Sequence, residues 1–121
     1  MENALLVVNG EKVIKDKICS WLNKDNYKLV LVGLFATSSD VKSVECDRAC
    51  WLTLFSLQEE FTKKGYSVSI VTEKGSVFNL ISVVQSLNVD VVLLPKSTFL
   101  SLAVDEFDDF LTQLPCSLIL Y

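Results

Sequence analysis

The sequence contains no histidine, and this absence removes several classes of mechanism. Catalytic triads with an imidazole base and metal sites with histidine ligands need a residue that the chain does not have. Carboxylates and thiols remain as candidates for acid–base or nucleophilic chemistry. The four cysteines are scattered through apolar segments of an apparently cytosolic chain, so we interpret them as reduced thiols rather than as a disulfide framework.

Arginine is almost absent as well. Arg48 is the single arginine among eleven basic residues, and the formal net charge is −4. Nucleic-acid binding normally uses a concentrated basic face, in which arginine is the preferred partner of phosphate oxygens. We therefore predict that nucleic acid is not a ligand.

Long apolar runs are also missing. No stretch approaches the roughly 20 residues of a membrane-spanning helix, so we expect no membrane insertion. The amino terminus lacks the basic region and the extended apolar core of a signal peptide, which predicts a cytoplasmic protein. A chain of 121 residues buries enough surface for one good core, and we predict a single domain over residues 1–121.

Short β-rich runs alternate with amphipathic stretches along the chain. Unbroken apolar runs such as residues 4–8 and 28–36 are typical of strands covered on both sides. The patterns predict strands at 4–8, 28–36, 66–72, 89–94 and 116–121, and helices at 11–24, 44–64, 77–87 and 105–114. They place Trp21 and Leu111 on buried helix faces and Ser76 as the cap of the third helix, and they are ambiguous over 96–104. This β-α-β order predicts an α/β fold, a three-layer sandwich with a parallel sheet and helices on both faces. Ligands of such sheets bind at the carboxyl ends of the strands.

Three segments resemble the universal stress protein family. They are ALLVVNGE at 4–11, the stretch from Tyr66 to Ser97 with Asp90 before its apolar run, and the proline-led PCSLILY at 115–121. The resemblance covers most of the chain. It implies a five-stranded sheet of order 3-2-1-4-5, the Rossmann-like arrangement of the adenine-nucleotide alpha-hydrolase group. It also implies that ATP binding and homodimers formed through the last strand are common among relatives.

The phosphate loop of the ATP-binding relatives, Gly-x2-Gly-x9-Gly-(Ser/Thr), is missing. Glycines let backbone amides approach phosphate oxygens, yet the last glycine of this chain is Gly75. Alignment on the fourth strand puts Pro95 and Thr98 at the first two glycine positions, and Asp108 and Asp109 at the last two motif positions. Asn9 replaces the acidic residue at the end of the first strand. We therefore expect no cofactor and disfavour ATP and AMP as ligands.

Two alternatives stay open. The first is a nucleotide or small-anion site in an altered pocket at the carboxyl ends of strands 1 and 4, formed by Asn9, Lys12, Leu34, Lys96 and Ser97. The second is a thiol-based redox enzyme or sulfur carrier centred on Cys46 and Cys50, whose thiols would be activated at a helix N-terminus beside Arg48. Buried structural cysteines are the commoner outcome for such a pair, and we predict no metal site.

Acidic and apolar residues dominate the end of the chain. We interpret Asp105, Glu106, Asp108 and Asp109 as an acidic first turn and a solvated face of a helix. The bulky segment 99–104 either fills the space of a nucleotide or faces a partner protein. An apolar last strand at a sheet edge favours pairing with a second copy through Leu118, Ile119, Leu120 and Tyr121. The sequence thus predicts a non-enzymatic, homodimeric interaction module with a stress-related or regulatory role.

Overall fold

A computed structural model describes residues 2–8, 13, 15–35, 41–75 and 77–121, with the backbone alone over 41–46. Its elements alternate as the sequence predicts. In chain order they are β1 (Glu2–Val8), α1 (Lys15–Trp21), β2 (Tyr27–Phe35), α2 (Val41–Lys63), β3 (Val68–Lys74), α3 (Asn79–Leu87), β4 (Val91–Leu94), α4 (Lys96–Leu100), α5 (Val104–Gln113) and β5 (Ser117–Leu120). No helix in these ranges is both long enough and apolar enough to span a bilayer.

The five strands form one parallel sheet of order β3-β2-β1-β4-β5. This confirms the predicted fold class and strand order. Leu6 of the central strand pairs with Leu31 on one side and with Leu93 on the other. Since β1 has a strand on each side and a helical layer on each face, its residues 4–8 are all buried. The strands β3 and β5 lie at the two edges of the sheet.

The sheet separates two cores, and the alternation of side chains along β1 divides its residues between them. Leu6 and Val8 join α1 and α2 in the first core, together with the fully buried Phe61. Leu5 and Val7 join α3 and α5 in the second core, which contains the fully buried Phe110. Two helical layers around one sheet give the predicted three-layer sandwich.

Several predicted helix boundaries and faces are wrong. The first helix begins at Lys15 and ends at Trp21, so Leu22 enters the first core just beyond its end while Trp21 is exposed. The third helix begins at Asn79 instead of Val77, and Ser76, its predicted cap, lies outside the described residues. In α5 the prediction placed Leu111 inward, but this residue follows Phe110 by 100° around the helix and is exposed.

The end of α2 follows the sequence closely. Lys63 is its last residue, and Gly65 has a φ of 96°, a left-handed conformation that favours glycine. Tyr66 follows Gly65 and is buried, although the prediction assigned it to the third strand, which begins at Val68. The early turn lets the Tyr66 ring pack edge-on against Phe61, with ring centroids 5.6 Å apart.

Candidate functional site

The candidate site lies where the strand order reverses, at the carboxyl ends of β1 and β4. In open α/β sheets this reversal leaves a crevice for ligands between the two strands. Two of the five predicted pocket residues, Asn9 and Lys12, lie outside the described residues, as do residues 36–40 after β2. The described part of the site is therefore its β1, β4 and β5 side together with the contacts from α2.

Tyr121 reaches across this end of the sheet. Its amide donates to the carbonyl oxygen of Leu94 at 3.0 Å, and its own carbonyl accepts from the Lys96 amide at 2.7 Å. The phenolic hydroxyl then donates to the carbonyl oxygen of Val7 at 2.6 Å. Since the pairing between β1 and β4 extends to Leu6 and Leu93, this hydroxyl engages β1 one residue beyond that pairing.

Cys50 covers the next residue of β1 from the α2 side. Its Sγ donates to the carbonyl oxygen of Val8 at 3.5 Å, in a buried contact. Burial raises the pKa of the Cys50 thiol to about 11, and the charge of Asp47 adds to the rise. The thiol is therefore protonated near neutral pH, which suits a hydrogen-bond donor and not a nucleophile.

Gly33 allows α2 to come this close to the sheet. A Cβ at Gly33 would lie 2.8 Å from Leu54 Cδ1 and 3.2 Å from Cys50 Sγ, inside the limits of normal packing. Gly33 is paired in register with Val8. The carboxyl ends of β1 and β2 are thus held against α2 by a layer of close contacts at a position where only a glycine fits without adjustment.

The chain after β4 uses its own backbone donors. Residues 96–100 form the short helix α4, in the region where the sequence pattern was ambiguous. Four hydrogen bonds tie amides of this region to nearby acceptors: Phe99 to the Pro95 carbonyl (3.2 Å), Ser101 to the Ser97 carbonyl (3.1 Å), Leu102 to the Phe99 carbonyl (3.2 Å), and Ala103 to Glu106 Oε1 (2.8 Å). Amides used in this way are not directed toward a phosphate.

The bulky side chains of segment 99–104 have two kinds of surroundings. Phe99 and Leu102 are half-buried against the second core, and the Phe99 ring stacks on Phe107 with centroids 4.7 Å apart. Leu100 and Val104 are exposed. One half of the segment therefore fills space beside β4, while the other half faces outward.

The described anion-site candidates lie in different surroundings. Leu34 is half-buried against the second core on β2, whereas Lys96 and Ser97 are exposed in the first turn of α4. Ser97 lies within α4, and its carbonyl accepts from the Ser101 amide. These positions leave Lys96 as the one cation among the candidates that the structure describes.

The predicted thiol pair does not lie at a helix N-terminus. Because α2 begins at Val41, Cys50 falls in its third turn, beyond the reach of the terminal partial charge. Cys19 in α1 and Cys116 just before β5 are free thiols, and burial raises the pKa of Cys116, with Asp90 adding to the rise. In the described ranges no group of three potential ligands is placed to hold a metal ion.

The acidic residues 105–109 behave as an ordinary helix start. Asp105 and Glu106 occupy the first turn of α5, where negative charge complements the helix dipole. Glu106 also accepts a hydrogen bond from the Ala103 amide, as in a capping box. Asp108 and Asp109 are exposed in the following turn. The interpretation as a helix terminus with a solvated face is confirmed.

Recesses at the opposite, amino end of the sheet correspond to no pattern in the sequence. One, of about 380 Å³, is lined by Cys19, Ser20, Asn23, Lys24, Lys64 and Tyr66. The Tyr66 hydroxyl donates to the carbonyl of Leu22, and burial raises its pKa to about 12, with Cys19 contributing. Lys64 Nζ lies 3.9 Å from Cys19 Sγ and 3.6 Å from an Asp16 carboxylate oxygen. These residues lie on separate segments of the chain and come together only in the folded protein, so no local sequence pattern could identify the recess.

Comparisons with known proteins agree with this architecture at the level of the fold. No family model matches the sequence, and no curated protein matches it. Among solved structures, a protein of the universal stress protein family from Burkholderia pseudomallei is similar, with a TM-score of 0.69 and 13% sequence identity. The match covers 99% of this chain and 95% of that chain. The chain therefore has the fold of a universal stress protein.

Proposed function

We propose that this protein is a non-enzymatic interaction module that has the universal stress protein fold, does not bind ATP or AMP and works as a homodimer. The observation that carries the proposal is the use of backbone donors after β4. Four amides between Phe99 and Ala103 donate to acceptors that lie between Pro95 and Glu106. A phosphate loop needs such amides turned outward, and it usually needs glycines that allow the turn.

Two further features support the absence of a nucleotide. The carbonyls of Val7 and Val8 at the end of β1 accept hydrogen bonds from Tyr121 and Cys50, so these groups are occupied within the fold. The N-terminus of α5 carries Asp105 and Glu106, whose charges repel a triphosphate at the position where the dipole would otherwise attract it. Both features disfavour binding of a triphosphate at the carboxyl end of the sheet.

Nucleotide binding is tested directly by calorimetry and by thermal unfolding with ATP, ADP and AMP. We expect no saturable heat and no change in Tm. A nucleotide present at 100 times its Kd would stabilise the fold by about 2.7 kcal/mol, which is readily detected. Saturable binding of stoichiometry one would contradict the proposal.

The anion alternative makes a different prediction in the same experiment. A pocket built on Lys96 should bind inorganic phosphate or AMP and should lose that binding in Lys96→Ala. Lys28→Ala is a matched control, since Lys28 is also exposed but lies near the beginning of β2. Equal behaviour of the wild-type protein and both variants, without binding, would remove the anion site.

The homodimer is proposed to form through β5. The sheet order places β5 at an edge, so one side of its backbone faces away from β4. Tyr121 donates its amide toward β4. Because successive amides of a strand alternate in direction, those of Leu120 and Leu118 point to the outer side. Leu118 and Leu120 pack on one face of the sheet, and Ile119 and Tyr121 pack on the other.

Removal of one outward amide tests this interface. Leu118→Pro removes a donor on the outer side of β5, where proline is tolerated in an edge strand. We expect the dimer to dissociate in sedimentation velocity while circular dichroism keeps the α/β spectrum. Leu118→Ala is the control for the lost side chain, because it truncates the residue and keeps the amide. A folded Leu118→Pro variant with the mass of the wild-type protein would contradict the β5 dimer.

A further inference from the structure

A row of exposed side chains runs along the outer face of α2. It consists of Arg48, Trp51, Leu52, Phe55 and Glu59, and we name it the α2 stripe. The spacing 48, 52, 55 and 59 places these residues on one face of the helix. Leu52 is 65% exposed, Phe55 55% and Trp51 38%, although each is a large hydrophobic residue. Such a cluster of apolar residues marks an interaction surface.

The aromatic part of the stripe is held in place by its own contacts. Trp51 stacks on Phe55 with ring centroids 5.4 Å apart, and it also packs against the buried Phe35 at 5.2 Å. Side chains that are fixed before binding lose little entropy when a partner covers them. The stripe is therefore an ordered surface with a low cost of association.

The charges of the stripe identify its occupant. Arg48 and Glu59 have opposite charges. Arg48 lies four residues before Leu52, and Glu59 lies four residues after Phe55, so the two charges flank the two apolar residues symmetrically. An antiparallel second copy of α2 therefore brings Arg48 opposite the partner's Glu59 and Leu52 opposite the partner's Phe55. We propose that the α2 stripe is a self-association surface that binds the α2 stripe of a second copy about a two-fold axis.

A second exposed apolar surface, on α4 and α5, differs from the α2 stripe in its charges. Leu100, Val104 and Leu111 are exposed there, as the residues of the stripe are. The exposed charged residues beside them are four carboxylates on α5 and one lysine on α4: Asp105, Glu106, Asp108, Asp109 and Lys96. Two copies of that mainly acidic surface would repel each other, whereas two copies of the α2 stripe attract. Of these two surfaces, only the α2 stripe has a self-complementary charge pattern.

Glu59 is free to change its partner. It forms an ion pair with Lys63 at 3.0 Å, but the two side chains are 68% and 73% exposed. Exposed pairs of this kind contribute little to stability. Arg48 lies eleven positions from Glu59, about 16 Å along the helix, so the two cannot pair within one chain. A contact between Arg48 and Glu59 therefore requires a second copy of the chain.

The interface is expected to be weak. A contact along one helix buries less than the roughly 800 Å² per partner of a standard stable complex. The α2 stripe is on a helical layer and β5 is at a sheet edge, so the two proposed interfaces do not overlap. If both form, the assembly grows beyond a dimer as the protein concentration rises.

Charge reversal tests the pairing. We expect Arg48→Glu and Glu59→Arg each to weaken association through α2 by about tenfold or more, because two attractive pairs become two repulsive ones. The measurement is sedimentation equilibrium of the full chain over a range of concentrations. Asp109→Arg is the control, since it reverses an exposed charge on a helix outside the stripe. Circular dichroism and Tm establish that every variant is folded.

The double variant Arg48→Glu/Glu59→Arg decides between this geometry and a general charge effect. It restores both opposite-sign pairs across the two-fold axis, so we expect the wild-type association constant to return to within about threefold. Failure of the double variant to recover, with folded single variants that are weakened, overturns the antiparallel pairing.

Leu52→Ala separates self-association from docking of another partner. It truncates an exposed side chain that the fold does not need, and we expect it to weaken self-association as well. An unchanged mass distribution in Leu52→Ala and in both charge variants means that the stripe serves a different partner, which overturns the proposal. Because the α2 contact is weak, Leu118→Pro should be monomeric at low protein concentration and should still associate through α2 as the concentration rises, so failure of the β5 interface is distinguished from failure of this one.

Discussion

The two ends of the sheet differ in what their polar groups contact. At the carboxyl end, Cys50 and Tyr121 donate to the last carbonyls of β1, and the chain after β4 folds into α4. At the amino end, recesses of about 380 and 640 Å³ open among polar side chains, including those around Tyr66 and Tyr27. Open α/β sheets commonly bind ligands at the carboxyl end.

This difference supports the proposal that the fold keeps its strand order while the end of β1 packs against its own chain instead of a nucleotide. The sheet needs only its buried strands and two helical layers, and β1 supplies side chains to both cores. The packing at the carboxyl end of β1 depends on a few other residues, Cys50 and Tyr121 among them. The following experiments test how tightly these residues pack there and how this end compares with the amino end.

The largest expected effect concerns the ionisation of Cys50 at the carboxyl end. Its pKa rises from 9.0 to about 11 in the folded protein, mainly through burial. The folded state therefore holds the thiol proton more tightly than the unfolded state does. Its contribution to stability is complete below pH 9 and is lost as the pH rises through 11. A tenfold change in acidity corresponds to about 1.4 kcal/mol, so the loss reaches roughly 3 kcal/mol at most.

Urea unfolding of the wild-type protein and of Cys50→Ala between pH 7 and pH 11 measures this loss. The alanine variant lacks the thiol, so the difference in unfolding free energy between the two proteins should shrink or reverse as the pH rises. Tyrosines and lysines titrate in both proteins and cancel in the comparison. A difference that stays constant across the range would show that the Cys50 site is open to water.

The second prediction concerns the fit of α2 on the sheet. Gly33→Ala introduces a Cβ 2.8 Å from Leu54 Cδ1, and we expect a loss of about 1–3 kcal/mol from overpacking. Leu54→Val shortens the side chain that is nearest to the new atom. In that background Gly33→Ala should cost measurably less than in the wild-type protein, as a double-mutant cycle of denaturant unfolding would show. Additive losses would place the clash elsewhere.

The sequence predicted the sheet well because each strand has a local signature. Residues 4–8 form an unbroken apolar run, and every one of them is buried between the two layers. The helix ends were less predictable. Trp21 belongs to the apolar pattern of α1 but is exposed, since the helix ends there and Leu22 takes the inward position. Hydrophobic periodicity identifies an element and does not fix the residue at which tertiary packing ends it.

The candidate site was predictable only in part. The chain has no glycine beyond Gly75, which excludes a glycine-rich loop after β4, and the structure has α4 at that position. The contact between Tyr121 and Val7 joins residues that are 114 positions apart, and Cys50 and Val8 are 42 apart. Such contacts depend on strand order and on side-chain reach, which no local pattern contains.

The third prediction tests the amino end through Tyr66. Tyr66→Phe removes the hydroxyl that donates to the buried carbonyl of Leu22 and keeps the ring packed against Phe61. We expect a loss of about 1–1.5 kcal/mol, because the carbonyl is left without this donor in a buried position. Thermal and urea unfolding of the variant check the value. A neutral result would mean that water from the nearby recess replaces the hydroxyl, and the amino end would then be more open than the burial of Tyr66 indicates.

The smallest expected effect is that of Tyr121→Phe at the carboxyl end. The lost bond joins the hydroxyl to Val7 in a half-buried contact, so we expect about 0.5–1 kcal/mol, less than for Tyr66→Phe. The backbone bonds of Tyr121 to Leu94 and Lys96 remain and keep the end of β5 in register. Hydrogen exchange of the Lys96 amide, which donates to Tyr121, should then stay close to that of the wild-type protein. Faster exchange at Lys96 would show that the hydroxyl, and not the backbone pairing, holds the last residue over β1. Since the contact between Tyr121 and β1 would then depend on one phenol, nucleotide titration of Tyr121→Phe would become the decisive measurement on this edge.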